Sequence, residues 1–112
     1  MYAWAGSILH VNLKSRKIDV QPFPKEFGEK FFGGRGTNVS LLWNLARRVD
    51  IDPLGPENVL IAGIGTLTCT GAPCSGRTTV SFKSPITNLY FKSTMGGHLG
   101  PELKLAGYDN LV

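Results

Sequence analysis

The sequence predicts an α+β protein that is rich in β-structure, with antiparallel or mixed sheets and one or two short helices. Several short runs alternate apolar and polar side chains or are continuously apolar, and turn residues separate them, as in short β-strands. Glycine supplies 14 of the 112 residues, well above the usual fraction of about 7%. Sustained helical spacing of apolar residues is confined to one stretch, near residues 37–48. Together these features predict short strands, many special turns and little helix.

The N-terminal region predicts a β-hairpin followed by a short helix. Apolar and polar residues roughly alternate over residues 8–21, and a polar turn at residues 14–17 divides them. Pro24 is suited to the first turn of a helix that runs through Phe32, because the N–H that proline lacks would be unpaired there. Residues 33–36 (Gly-Gly-Arg-Gly) then break the chain.

A second helix is expected to follow this break. Thr37 or Asn38 can cap its N-terminus, and the helix is expected to run to about Arg48. Its apolar residues recur at three- and four-residue spacing, which is the helical period. They are Val39, Leu42, Trp43 and Ala46.

The second half of the chain predicts more strands than helix. In chain order, the expected elements are a loop (50–57), a buried strand (59–64), a long loop of small residues (66–76), two strands (78–83 and 89–93), a helical turn or two (101–106) and a final strand (108–112). The two middle strands are expected to form a hairpin with a generous turn. Because the last strand stops at the final residue, it would leave an unpartnered edge. We therefore expect a piece of a longer protein, or a chain that a second polypeptide completes.

Composition excludes several classes of protein. The net charge of +4 permits an anionic partner, but the basic residues come in short pairs and no nucleic-acid recognition motif accompanies them. The N-terminus lacks the features of a signal peptide, and no apolar run approaches the roughly 20 residues that span a bilayer. The two cysteines do not make a disulfide scaffold. The sequence therefore favours a cytoplasmic protein that neither crosses a membrane nor binds nucleic acid.

Two glycine-rich turns are the best candidates for a binding site. Residues 71–77 (Gly-Ala-Pro-Cys-Ser-Gly-Arg) end in an arginine at the start of a strand, and residues 94–97 (Thr-Met-Gly-Gly) follow another strand. Glycine lets main-chain groups approach a ligand, and the guanidinium of Arg77 is suited to phosphate. The pair suggests a shelf for a phosphate-bearing cofactor. A hairpin is expected to place the two turns at opposite ends, which complicates a shared site; a surface arginine and an ordinary turn are the alternatives.

The other candidate groups are weaker. Residues 33–36 precede a helix and could hold an anion with Arg35, but a sharp turn between helices is the favoured interpretation, because the spacing fits neither a P-loop nor a dinucleotide fingerprint. Cys69 and Cys74 lack the further ligands that a zinc or iron–sulfur site needs, so structural thiols in a crowded loop are expected. The sequence offers no arrangement of nucleophile and base and no acid/base pair.

A series of short segments, which follow one another in the same order, resembles the N-terminal portion of the tungsten-dependent aldehyde ferredoxin oxidoreductase family. Relatives of this family include benzoyl-CoA-reductase-type subunits. No single segment is specific, but the ordered set is. The matching segments are residues 6–13, 33–36, 52–58, 71–77, 83–87, 95–97 and 102–109.

The resemblance implies that residues 1–112 are the N-terminal part of a β-domain that forms a base beneath a tungsten, or molybdenum, ion held by two pterins. It implies that Arg77, Thr94 and Gly96 contact this cofactor. The main-chain carbonyl of Thr94 is implied to ligate a Mg²⁺ ion that bridges the two pterin phosphates. Family members have asparagine at this position; threonine keeps the carbonyl but lacks the amide.

The implied activity of the full protein is oxidation of an aldehyde to a carboxylic acid with ferredoxin as electron acceptor, or a related low-potential reduction. The implied partners are the C-terminal remainder of the enzyme or a complementary subunit, in an oligomer. A 4Fe–4S cluster is implied for the full enzyme, with its ligands outside this chain, so the chain alone is expected to be inactive. The alternative is a non-catalytic assembly subunit that does not contact the cofactor.

Overall fold

Six strands form one mixed sheet, with three short helices packed around it, in a computed structural model that describes residues 3–112. The α+β, β-rich class predicted from the sequence is confirmed, and the first two residues of the predicted domain lie outside the described range. The elements are β1 (Ser7–Asn12), β2 (Lys17–Pro22), α1 (Lys25–Phe31), α2 (Arg35–Ala46), β3 (Ile61–Ile64), β4 (Thr78–Lys83), β5 (Tyr90–Met95), α3 (Leu99–Leu105) and β6 (Asn110–Leu111).

The strand order across the sheet is β2-β1-β6-β3-β4-β5. The predicted hairpins β1–β2 and β4–β5 are both present, and every neighbouring pair is antiparallel except β1–β6, which is parallel. The final strand was expected to leave an unpartnered edge, but β6 lies inside the sheet between β1 and β3. Its pairing partners come from distant parts of the chain, so the local sequence pattern does not reveal them. The open edges of the sheet are β2 and β5.

The second helix begins earlier than predicted. Gly34 is its N-cap residue, and the Gly34 main-chain N–H donates to the Ile64 carbonyl at 2.9 Å. Thr37 and Asn38, expected as caps, therefore lie inside the helix, where both are completely buried. Their polar groups find partners within the helix and on the sheet, so they are not needed at the helix end.

The buried side of α2 is narrower than its apolar spacing suggests. Leu42 is buried and helps form the core, but Trp43 is 74% exposed and Val39 is also exposed. The helix ends at Ala46, with Arg47 in the left-handed region at φ 54°. Helix α2 packs against strands β3 and β4. The buried apolar core consists of Ile8, Phe23, Leu42, Ile51, Ile61, Ala62 and Ile64.

A buried ion pair joins α3 to the N-terminal segment. The Lys104 Nζ and Asp109 Oδ1 atoms are 2.8 Å apart, with side chains only 8% and 3% exposed. The Asp109 carboxylate also accepts hydrogen bonds from the main-chain N–H groups of Ala5 at 3.0 Å and Gly6 at 2.7 Å. Lys104 donates a further bond to the Ala3 carbonyl at 2.9 Å. The pair therefore fixes the chain that leads into β1 against the residues that lead into β6.

Among residues 3–112, no helix combines the length and the apolar character needed to cross a membrane.

Candidate functional site

The two glycine-rich turns meet at one corner of the sheet, where β4 begins and β5 ends. The register of this hairpin pairs Thr78 with Met95 and Thr79 with Thr94. The expectation that the turns lie at opposite ends of the hairpin is therefore wrong. In an antiparallel pair, the start of the first strand and the end of the second strand lie side by side. We call the site formed by Arg77, Thr79, Thr94, Gly96 and Gly97 the hairpin corner.

Arg77 and Thr94 contact each other at this corner. Arg77 Nη1 donates a long hydrogen bond of 3.4 Å to Thr94 Oγ1, and both residues are exposed. Within residues 3–112, Arg77 forms no ion pair. The guanidinium therefore retains donors that an anionic ligand at the corner can use.

The glycines of the hairpin corner leave empty space beside the main chain. A Cβ atom added at Gly96 or at Gly97 would meet no atom within 4 Å, and Gly97 has a φ of +99°, which favours glycine. Gly71, in the loop that leads to Arg77, also has open space where a Cβ would lie. Main-chain groups on both sides of the corner are thus accessible to a bulky ligand.

The Gly-Gly-Arg-Gly turn at residues 33–36 lies beside the same corner. It connects α1 to α2, in agreement with the favoured interpretation as a sharp turn between helices. A Cβ atom added at Gly34 would lie 3.6 Å from Thr79 Oγ1, so this turn passes over the beginning of β4. Arg35 is exposed there. The structure therefore brings together three glycine-bearing segments that are far apart in the sequence.

Cys69 and Cys74 occupy the loop between β3 and β4, and both thiols are free and exposed. The loop is less crowded around them than the sequence suggests, although Cys69 Sγ lies 3.7 Å from the Pro101 carbonyl oxygen. In the described part of the chain, no three His, Cys, Asp or Glu side chains are arranged to hold a metal ion.

A groove of about 290 Å³ lies at the other end of the β4–β5 hairpin, away from the hairpin corner. Val39, Leu42 and Trp43 of α2 form one side of it, and Leu89 and Tyr90 form the other. Near its base, the buried Lys83 Nζ donates to the main-chain carbonyls of Val49 at 2.6 Å and Ile51 at 2.7 Å. This lysine holds the loop after α2 against β4. Because the groove lies at the opposite end of the hairpin from the predicted site, the two do not coincide.

The exposed ion pair between Arg48 and Asp50 lies on the rim of this groove. Arg48 Nη2 is 2.6 Å from Asp50 Oδ2. The hydrogen bond from Arg48 lowers the pKa of the Asp50 carboxyl to about 2, with further support from the main chain and from the positive charge itself. The hydrogen bond to Asp50 in turn raises the pKa of the Arg48 guanidinium. This pair lies in an exposed loop, outside the hairpin corner.

Sequence reasoning missed Thr79 and Asn38. Thr79 faces Thr94 across the hairpin, and Asn38 donates a hydrogen bond of 2.8 Å to the Thr79 carbonyl. One sequence signal for the buried position of Asn38 was its spacing of four residues from Leu42, because side chains at that spacing share one side of a helix. Asparagine near a predicted helix start is more often a cap, and that preference hid its buried position.

Comparison with known proteins adds a family match. The model of the aldehyde ferredoxin oxidoreductase N-terminal domain matches residues 8–112. The tungsten-containing aldehyde ferredoxin oxidoreductase of Pyrococcus furiosus is 42% identical over the whole chain. The aliphatic sulfonate oxidoreductase WOR-like subunit of the same organism is 38% identical, also over the whole chain.

A solved structure is similar as well. It is the active site complex of benzoyl-coenzyme A reductase with 1,5-dienoyl-CoA, which has a TM-score of 0.89 and 41% identity over 98% of this chain. The chain spans 18% of the length of the two Pyrococcus relatives and 17% of that solved chain. The similarity therefore covers nearly all of this chain but only a small part of each relative.

Proposed function

Because this chain belongs to the aldehyde ferredoxin oxidoreductase family, we propose that it is the cofactor-cradling part of a tungsten or molybdenum bis-pterin oxidoreductase. In this proposal the full protein oxidises aldehydes to carboxylic acids with a ferredoxin as electron acceptor, or carries out a related low-potential reduction. The observation that carries the proposal is the contact of Arg77 with Thr94 beside the open glycines 96 and 97.

The residues of the hairpin corner fit a bulky anionic group. A pterin with a phosphate needs main-chain donors, a cation and space that no side chain fills. Arg77 is an exposed cation without an ion-pair partner in the described residues, and a Cβ at Gly96 would meet open space. The corner therefore has the charge and the room that such a group requires.

Each residue has a distinct role in this proposal. Arg77 donates charge-assisted hydrogen bonds to the pterin, and Gly96 lets the main chain approach it. The main-chain carbonyl of Thr94 would hold a Mg²⁺ ion, because oxygen ligands suit this hard cation. When bound, the metal and pterins supply the two-electron redox chemistry. The chain itself orients them and sets the electrostatic environment.

Other parts of the enzyme complete the proposal. The 4Fe–4S cluster takes its ligands from outside this chain, and the remainder of the protein or a complementary subunit covers the cofactor in a cytoplasmic oligomer. Relatives whose names refer to aldehydes and to aliphatic sulfonate are 42% and 38% identical to this chain. Similarity in this region therefore accompanies names that refer to different substrates. We propose aldehydes as the substrate class, because the more similar of these two relatives is named for them.

An assembly role is the second candidate. Strand β5 forms an open edge of the sheet, and its Phe91 and Met95 side chains are 42% and 39% exposed. Apolar side chains on an unpaired strand are suited to contact with another protein surface. If this role is correct, the protein purifies with a larger partner while the hairpin corner remains free of cofactor.

Replacing Arg77 by alanine in the full-length protein is the test of the proposed site. A charge-assisted hydrogen bond contributes about 1.5–3 kcal/mol, so we expect cofactor binding to weaken by roughly 10- to 150-fold. Pterin and metal content after extensive dialysis, measured by fluorescence and by mass spectrometry of the metal, reports the loss. Arg48→Ala is the matched control, because Arg48 is also exposed but lies away from the corner.

Two results would contradict the proposed site. One is full pterin and metal content in the Arg77→Ala protein, with unchanged redox activity. The other is a wild-type protein that folds in tungsten- and molybdenum-containing medium and carries neither metal nor pterin.

A further inference from the structure

Asn38 is a buried amide that connects α2 to the strands beneath it. Its side chain is completely buried. Asn38 Nδ2 lies within hydrogen-bond distance of three acceptors, namely the Thr79 carbonyl at 2.8 Å, Ser81 Oγ at 3.1 Å and the Ile61 carbonyl at 3.2 Å. Two of these acceptors belong to β4 and the third belongs to β3. One side chain therefore fixes the distance between the helix and both strands.

A second buried amide completes this network. Asn110 Nδ2 donates to Asn38 Oδ1 at 2.9 Å and to Thr37 Oγ1 at 3.2 Å. Asn110 lies in β6 and is also completely buried. Gly63 provides the necessary room, since a Cβ atom there would overlap Asn38 Oδ1. The Asn38 amide thus occupies the space that a side chain at position 63 would fill.

The shortest bond of the Asn38 amide nitrogen reaches the hairpin corner directly. Its acceptor, Thr79, is the neighbour of Thr94 across the β4–β5 hairpin and lies two positions after Arg77. Ser81, another acceptor, also shares a 2.9 Å hydrogen bond with the Tyr90 hydroxyl of β5. Asn38 is therefore hydrogen-bonded directly to β4 and is connected to β5 through the Ser81 and Tyr90 side chains.

Buried hydrogen bonds of this kind specify position more sharply than apolar contacts. Apolar packing permits small shifts of a helix over a sheet, whereas a satisfied buried amide loses its partners when the elements move. The Asn38 network constrains β4 on the side that carries Thr79, which is the strand position next to Thr94. Movement of β4 relative to α2 would shift the hairpin corner relative to the turn at residues 33–36, which passes over the beginning of β4.

We propose that Asn38 is a positioning residue for the cofactor. By holding the Thr79 carbonyl under α2, it places Arg77 and Thr94 where both can contact the same bound group. This inference rests on the proposed function, because it requires a cofactor at the hairpin corner. Asn38 itself does not touch that cofactor and acts through β4.

The test compares Asn38→Ala with Asn110→Ala in the full-length protein. Both variants remove one buried amide from the same network, but only Asn38 bonds to β4. We expect both to lower the unfolding temperature and only Asn38→Ala to lower the pterin and metal content. Content is measured at a temperature where both variants are folded, after the same dialysis.

A second readout does not require bound cofactor. Amide hydrogen exchange at Thr79 and Thr94, measured in cofactor-free protein, is expected to be about tenfold faster in Asn38→Ala than in Asn110→Ala. If Asn38→Ala does not fold, Asn38→Ser replaces it, because the serine hydroxyl can bond to the preceding turn of the helix but is too short to replace the bond to the Thr79 carbonyl. The expected changes have the same direction.

The outcomes separate this inference from the proposed function. Wild-type pterin and metal content in the Asn38 variants, or an equal loss in Asn110→Ala, overturns the positioning role and leaves the proposed function intact. A wild-type protein without metal or pterin overturns both the proposed function and the inference. Faster exchange at Thr79 and Thr94 confined to the Asn38 variants, together with the loss of cofactor, supports the inference.

Discussion

Replacing Lys104 by methionine is expected to lower the free energy of unfolding by about 3–5 kcal/mol, because the change leaves the Asp109 carboxylate buried without its cation. The two side chains are only 8% and 3% exposed, so water cannot take the place of the ammonium group. Asp109 would retain its bonds from the Ala5 and Gly6 N–H groups, which is why we expect weakening of the fold and not complete unfolding. Urea unfolding followed by circular dichroism measures the change.

The exposed pair formed by Arg48 and Asp50 is the control for this prediction. Its side chains are 63% and 71% exposed, and solvent screens an ion pair at the surface. Arg48→Met is therefore expected to leave the unfolding midpoint almost unchanged at neutral pH. A Lys104→Met protein as stable as the Arg48→Met protein would show that the buried pair does not hold the N-terminal segment to α3.

Replacing Gly63 by alanine is expected to destabilise the protein by about 3 kcal/mol or more. The added Cβ would overlap Asn38 Oδ1 and would lie 2.7 Å from the Gly34 carbonyl oxygen. Overpacking of a core costs about 1–3 kcal/mol, and displacement of the Asn38 amide adds the cost of buried groups that lose their partners. The methyl group itself is small, so the predicted loss comes from what it displaces.

Gly96→Ala is the matched control, since a Cβ at Gly96 meets no atom within 4 Å. It is expected to keep the unfolding temperature of the wild-type protein, whereas Gly63→Ala lowers it by several degrees. Thermal unfolding of the two variants under identical conditions makes the comparison. Equal unfolding temperatures for both would mean that the sheet accommodates a side chain at Gly63, contrary to the tight packing described here.

Local sequence patterns were sufficient to predict the elements that depend on neighbours in the chain. The β1–β2 and β4–β5 hairpins follow from alternating residues on either side of a turn, and both are present. Position in the sheet depends on long-range pairing. The final strand inserts between β1 and β3, although nothing within residues 108–112 specifies those neighbours.

The sequence analysis named candidate residues but not how they come together. Arg77 and the turn at residues 94–97 stood out by residue type, and the family resemblance implied the roles of Thr94 and Gly96. The sequence analysis placed the two turns apart, and the register places them together. Asn38 was missed for a different reason. An asparagine near the start of a helix is usually a cap, and only the tertiary structure shows that Gly63 leaves it a buried space.

The position of the cofactor in a crystal structure of the full-length, metal-loaded protein is the most direct test of this account. We expect density for the pterins at the hairpin corner, with the Arg77 guanidinium and the Thr94 carbonyl both in contact with the cofactor or its bridging Mg²⁺. Density for a metal-bound pterin in another part of the protein, with Arg77 and Thr94 facing solvent, would contradict the account.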